Sequence, residues 1–168
     1  IILGGNDMKN RGFSLIEIIV AVAIMGILSG IVGLQLRSYI AKSKDTKAVA
    51  TLNTLRVAAQ LYQLENEKPL IEDSSKYEDK EEIKKALEKL EPYLDNNAKA
   101  IIKEPEMAIG GSKTDKDSKE IKYGGKVKIT FKNPDTTKNN SDGYYMWLKP
   151  LDEGTKEFDI KGNKWIEF

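Results

Sequence analysis

From Phe13 to Leu34 the chain carries an unbroken apolar run of about 22 residues. As a helix it measures roughly 33 Å, close to the hydrocarbon thickness of a bilayer. Glu17, near its start, is the single charge in the run. A charged side chain at that depth costs about 2.5–3.5 kcal/mol at the bilayer centre. Glu17 therefore needs a partner, and the run holds no opposite charge to supply one. Lys9 and Arg11 stand immediately before the run and favour a cytoplasmic leader with the rest of the chain outside. Gly12 leaves its peptide bond open to close approach. Glu17 lies about one turn past Phe13, near the positive end of the helix dipole, which eases its burial. A secretory signal would show a shorter apolar region and a small-residue cleavage site behind it.

The succession Lys9, Arg11, Gly12, Phe13, Ser14, Leu15, Ile16 and Glu17, followed by an apolar helix, resembles the amino-terminal signature of type IV pilins and of the pseudopilins of type II secretion. The resemblance covers residues 9 to 66 well and the rest in outline. It implies cleavage between Gly12 and Phe13 by a prepilin peptidase and N-methylation of the new terminus at Phe13. It implies that Glu17 pairs with the terminal ammonium of a neighbouring subunit as a filament grows. The partners implied are that peptidase, an assembly platform with its ATPase, and identical or related subunits. The location implied is the inner (cytoplasmic) membrane, single-pass, and then an extracellular or periplasmic filament. The expected domains are a leader over 1–12, a transmembrane and filament-core helix over 13–36, and a pilin-like head over 37–168. Within the leader, Met8 reads as the natural start. Gly4-Gly5-Asn6-Asp7 just ahead of it read as a ribosome-binding site translated in frame, so Ile1 to Asp7 are expected to be a misassigned start without a structural role, and 8–12 the cleaved leader.

Charged residues make up 32% of the chain and lie almost entirely after residue 36. Taking Asp7, Lys9 and Arg11 away with the leader turns 27 basic and 26 acidic residues into 25 of each. No basic surplus points to nucleic acid, outside a competence-type subunit. The chain holds no Cys and no His, which excludes a disulfide framework and a Cys/His zinc site. Many type IV pilins close a carboxyl-terminal loop with a disulfide, so here that loop must be held some other way.

Past the bilayer the helix is expected to continue. Ala48, Leu52, Leu55, Ala59 and Tyr62 recur at helical spacing from about Arg37 to Glu67, and Pro69 stops the pattern. The two halves make a helix of roughly 55 residues, one half in membrane or filament core and the other packed on the head. Gly26, Gly30 and Gly33 weaken the apolar half. They read either as a close-approach surface through Gly26-x-x-x-Gly30 or as a segment that unwinds on assembly.

The head is expected to be α+β, with a small antiparallel sheet of three or four strands and a second short helix against the long one. That helix is read over Lys80 to Leu94, with Ile83, Leu87, Leu90 and Leu94 on one face and Pro92 ending or kinking it. Lys126 to Lys132 alternates, with Val127, Ile129 and Phe131 inward and lysines or threonine outward. Tyr144 to Lys149 is an aromatic-rich strand after the turn Asn139-Asn140-Ser141-Asp142-Gly143. Glu157 to Ile160 and Lys164 to Phe168 flank a hairpin turn, Lys161-Gly162-Asn163. Asp115, Asp117 and Glu120 are weak candidates for calcium, because their spacing fits no EF-hand loop and lysines lie among them. No other cofactor is implied. Tyr145 and Trp147 share one side of their strand, as core or as a partner-binding patch.

The chain is thus expected to be a structural filament subunit and not an enzyme, since no spacing assembles a nucleophile, base or phosphate cradle. The alternative is a minor pilin whose head binds DNA, a surface or an export substrate.

Overall fold

The computed structural model describes residues 12–135, 137 and 141–168. Residues 1–11 of the expected leader, with Met8, Lys9 and Arg11, lie outside the described residues, as do Asn139 and Asn140 of the expected turn. Two compact units emerge, Ile1–Ser38 and Tyr39–Phe168. One helix, α1 (Leu15–Asn66), contributes to both.

In the first unit the large apolar side chains of α1 from Leu15 to Leu36 are exposed, Leu15 at 80% and Leu34 at 75%. This stretch is long and apolar enough to cross a membrane. In the second unit one face of α1 is buried, through Ala41, Asp45, Ala48, Leu52, Leu55, Ala58 and Ala59. The expected stripe is present, with Tyr62 half-buried at its end. The expected stop is present too. Pro69 removes a donor and disfavours helix in the residue before it. The chain leaves α1 at Glu67, in the left-handed region at φ 55°.

The second helix is shorter than its periodicity predicts. α2 spans Lys80–Glu88, and a 3-10 turn follows at Glu91–Tyr93. The cause is Pro92, whose ring clashes with the carbonyl four residues back, at Glu88. Asp79 caps the other end, accepting from the Glu82 amide at 2.9 Å. Ile83, Leu87, Leu90 and Leu94 all still reach the core, because a 3-10 turn keeps their face inward. We expect Pro92→Ala to let α2 run on by about one turn. Far-UV circular dichroism would show this as a small gain in helical signal.

The third helix, α3 (Ala100–Lys103), has too few residues to show a period in sequence. Three strands make the main antiparallel sheet, in spatial order first, fourth and fifth: β1 (Glu106–Ala108), β4 (Lys126–Thr130) and β5 (Trp147–Pro150). Met107 faces Val127, and Ile129 faces Leu148. A separate pair joins β2 (Gly111–Ser112) to β3 (Lys122–Tyr123). Val127, Ile129, Phe131, Met146 and Leu148 pack in one cluster with Leu52 and Leu55 of α1. The head is therefore α+β, its sheet laid on the long helix.

Three expectations change in the head. Thr130 is buried at 2%, because its Oγ1 accepts from the Lys132 amide at 3.1 Å and lies 3.4 Å from the Tyr77 carbonyl. β5 begins at Trp147, since Asp142 holds the amides of Tyr144 and Tyr145, both at 2.9 Å, in a turn. The carboxyl-terminal segments form no strands of their own. Phe158 makes isolated bridges to Lys113 and Lys164, and Trp165–Glu167 is a 3-10 turn. The turn between them is real, with the Asp159 amide donating to the Asn163 carbonyl at 2.8 Å and Gly162 at φ 91°.

Candidate functional site

Gly12, Phe13 and Ser14 precede the first turn of α1, and Phe13 is 85% exposed. The Ser14 amide donates to Glu17 Oε2 at 2.9 Å, and the Glu17 amide lies 3.4 Å from Ser14 Oγ. This reciprocal arrangement is a capping box, in which a Ser and a Glu three residues on satisfy each other's orphan amides. Glu17 thus has a local hydrogen-bond partner, although not the opposite charge that the run lacks. The Ser-x-x-Glu spacing was visible in sequence. The partner is a neutral amide, so it orders the helix start and leaves the carboxylate's charge uncompensated. Gly26, Gly30 and Gly33 lie within continuous helix, with no other side chain or distant backbone within 4 Å of where a Cβ would stand.

A second constellation lies in the head, around Asp45. This carboxylate sits on the buried face of α1 at 5% exposure. Oδ1 accepts from the amides of Gly110 at 2.7 Å and Gly111 at 3.3 Å, and Oδ2 accepts from Ile160 at 3.3 Å. Three segments far apart in sequence are thereby tied at one residue. The approach requires glycine at 110, where an added Cβ would fall 1.9 Å from the Ala41 carbonyl oxygen. Burial pushes the Asp45 carboxyl above its ordinary range. The amides of Gly110, Ile160 and Gly111 pull it back, and the charge of Asp159 adds to the rise.

Eleven residues further along α1, Arg56 holds the other end of the carboxyl-terminal segment. Its guanidinium donates to the Met146 carbonyl at 2.8 and 3.0 Å and to Phe168 O at 2.5 Å. Asp45 and Arg56 together hold the carboxyl-terminal segment against α1. Both were missed in sequence, where each reads as an ordinary polar position on the long helix.

The guanidinium of Arg56 also lies 4.2 Å from the centre of the Tyr145 ring, and Tyr145 meets Trp147 at 4.9 Å, edge to face. Tyr145 is 42% exposed and Trp147 half-buried, so this aromatic side does face outward in part. In the loop with Asp115, Asp117 and Glu120, Asp115 Oδ1 accepts from the Asp117 amide at 2.9 Å and closes a local turn. Among the described residues, no three acidic side chains are gathered as a metal cage would need.

Residues 7–33 match the family described as the prokaryotic N-terminal methylation motif, a span that contains Gly12, Phe13 and Glu17. The motif places the amino-terminal segment in the pilin and pseudopilin class. Among curated proteins, the chain is similar to a fimbrial protein of Pseudomonas aeruginosa, 42% identical over 50 residues. That match takes in 30% of this chain and 32% of the relative, so the chain spans about a third of the fimbrial protein's length. It is also similar to type II secretion system core protein G of Pectobacterium carotovorum, 35% identical over 63 residues, which cover 38% of this chain and 40% of the relative. The corresponding protein of Vibrio cholerae is 27% identical over 147 residues, 88% of this chain and 76% of the relative. No solved structure matches the chain significantly.

Proposed function

We propose that the chain is a structural subunit of a type IV pilus-like filament, cut after Gly12, N-methylated at Phe13 and polymerised from the cytoplasmic membrane. The observation that carries this reading is the exposed apolar stretch of α1 with one carboxylate in its first turn. Alone in water such a surface is a liability. It becomes useful when lipid covers it in the subunit and other helices cover it in the filament. The methylation motif over 7–33 supports the processing step. Likeness to protein G over most of the chain supports a secretion pseudopilin, and likeness to a fimbrial protein at the amino terminus supports the wider filament class.

In this reading the leader stays in the cytoplasm and the head lies outside. A prepilin peptidase processes the chain, and an assembly platform with its ATPase adds it to identical or related subunits. Glu17 meets the terminal ammonium of a neighbour, and the head has no catalytic role. A second reading, a minor subunit whose head captures a partner, draws on the outward aromatic pair Tyr145 and Trp147. The deciding experiment is the intact mass of the protein from membranes with and without the peptidase. A species that begins at Phe13 and carries one extra methyl group is expected with the enzyme. An uncut chain, or a cut behind the apolar run, would overturn the proposal.

A further inference from the structure

The head carries a groove of about 520 Å³ whose lining is unusual in its charge. Tyr39, Lys42, Ser43, Thr46, Lys47 and Ala50 come from α1, and Lys161 comes from the carboxyl-terminal turn. Three lysines and three hydroxyl-bearing side chains thus line the groove, with no carboxylate among the lining residues. Lys42, Lys47 and Lys161 are exposed and form no ion pair among the described residues. Two carboxylates lie close behind, Asp45 and Asp159, exposed at 5% and 4%. Both are engaged with donors. Asp45 holds the three backbone amides described above, and Asp159 holds the Asn163 amide at 2.8 Å and its side chain at 3.2 Å.

The placement of Lys161 is built. The bond from the Ile160 amide to Asp45 pins the turn against α1, and Lys161 follows next in the chain. Tyr39 and Lys42 come three and six residues after Leu36, the last of the exposed apolar side chains of the first unit. The helical rise over six residues is about 9 Å, comparable to the depth of a headgroup layer. Side chains on a helix lean toward its amino terminus, and Lys42 and Lys47 share that direction on α1. Tyr39, 75% exposed, has the amphipathic character of residues found at membrane interfaces.

We propose that this groove docks an anionic phosphodiester lipid headgroup of the membrane that holds α1, and seats the head on the bilayer before the subunit joins a filament. The inference rests on the membrane-anchored reading of α1 given above. The complement is one of charge: three lysines that form no ion pair among the described residues meet a phosphate, and the hydroxyl of Ser43 can donate to its oxygens.

The test uses the full chain in nanodiscs of phosphatidylcholine, with or without phosphatidylglycerol, and reads the acetylation rate of each lysine by mass spectrometry. Lys42, Lys47 and Lys161 are expected to react about fivefold more slowly when phosphatidylglycerol is present, while Lys85 and Lys103 keep their rates. Native mass spectrometry of the K42Q/K47Q/K161Q variant, changed at exposed side chains only, should show less retained phosphatidylglycerol than wild type. A K85Q/K103Q/K132Q variant, with the same loss of charge, should retain as much as wild type. Equal rates in the two lipids, or equal retention by all variants, would overturn the proposal. So would the same protection produced by inorganic phosphate in phosphatidylcholine alone, which would mark a site for the free anion. A chain that fails these tests yet is cut at Phe13 and stays in the membrane would leave the filament-subunit reading intact.

Discussion

Asp45→Ala should destabilise the head by about 3 kcal/mol, with Gly110, Gly111 and Ile160 losing hydrogen-exchange protection together. The carboxylate accepts from all three amides in a site that is 5% exposed. A buried donor left without an acceptor costs about 1–3 kcal/mol. Two of the three bonds are long, at 3.3 Å, and removing a buried carboxylate also relieves its desolvation, so the sum stays below the simple total. Trp165, fully buried in the same unit, gives a fluorescence signal for urea unfolding. A midpoint unchanged from wild type would show that water replaces the carboxylate at no cost, and that the carboxyl-terminal segment is held elsewhere.

The charge on Asp45 has its own signature in pH. Burial raises its pKa in the folded state, and the nearby carboxylate of Asp159 adds to the rise. The folded state thus holds the proton more tightly than the unfolded chain. The stability linked to this group is full below about pH 4 and is lost as pH rises through the raised folded value. Lys42 and Lys161 line the same cavity. Asp45→Asn keeps an oxygen for the Gly110 amide and does not titrate. The urea midpoint of wild type, measured against Asp45→Asn, should therefore improve as pH falls from 7 toward about 4. A difference that moves the opposite way would mean that the three amides outweigh burial and favour the ionised form.

Much of this was legible because it is local. The apolar run, the stripe of Ala48, Leu52 and Leu55, and the alternation of Val127, Ile129 and Phe131 repeat within a few residues, and so does any signal of period. Pro69 and Pro92 act on the turn just before them. Asp45 was not legible, because its partners lie 65, 66 and 115 residues away. A polar residue on an apolar face reads as a gap in the stripe until the amides that fill it are known. The need for glycine at 110 was hidden for the same reason, because it comes from the Ala41 backbone, which leaves no room for a Cβ. Strands of two or three residues, such as β1, β2 and β3, are too short for alternation to count. At the carboxyl end the expected hairpin had its turn but too few ladder bonds. The chain there is fastened by Asp45 and Arg56 instead.

Glu17→Gln is expected to abolish filament growth while leaving membrane insertion, cleavage and the start of α1 unchanged. The substitution separates the helix cap that the geometry shows from the proposed pairing with a neighbour. Glutamine can still accept from the Ser14 amide, as Glu17 does at 2.9 Å, because Glu and Gln both serve a capping box. It cannot neutralise a neighbour's terminal ammonium. Breaking a buried ion pair by removing one partner costs about 3–5 kcal/mol, since the other charge stays buried alone. Over one subunit addition that is more than a hundredfold in equilibrium. Glu17→Leu should lose the helix cap as well and assemble no better. Filament yield by sedimentation, with intact mass for cleavage and circular dichroism for helix content, reads the roles apart. Filaments of Glu17→Gln at wild-type yield would mean that the capping box is all that the carboxylate supplies. Assembly would then be driven by the apolar faces of α1 without a charge to set their register.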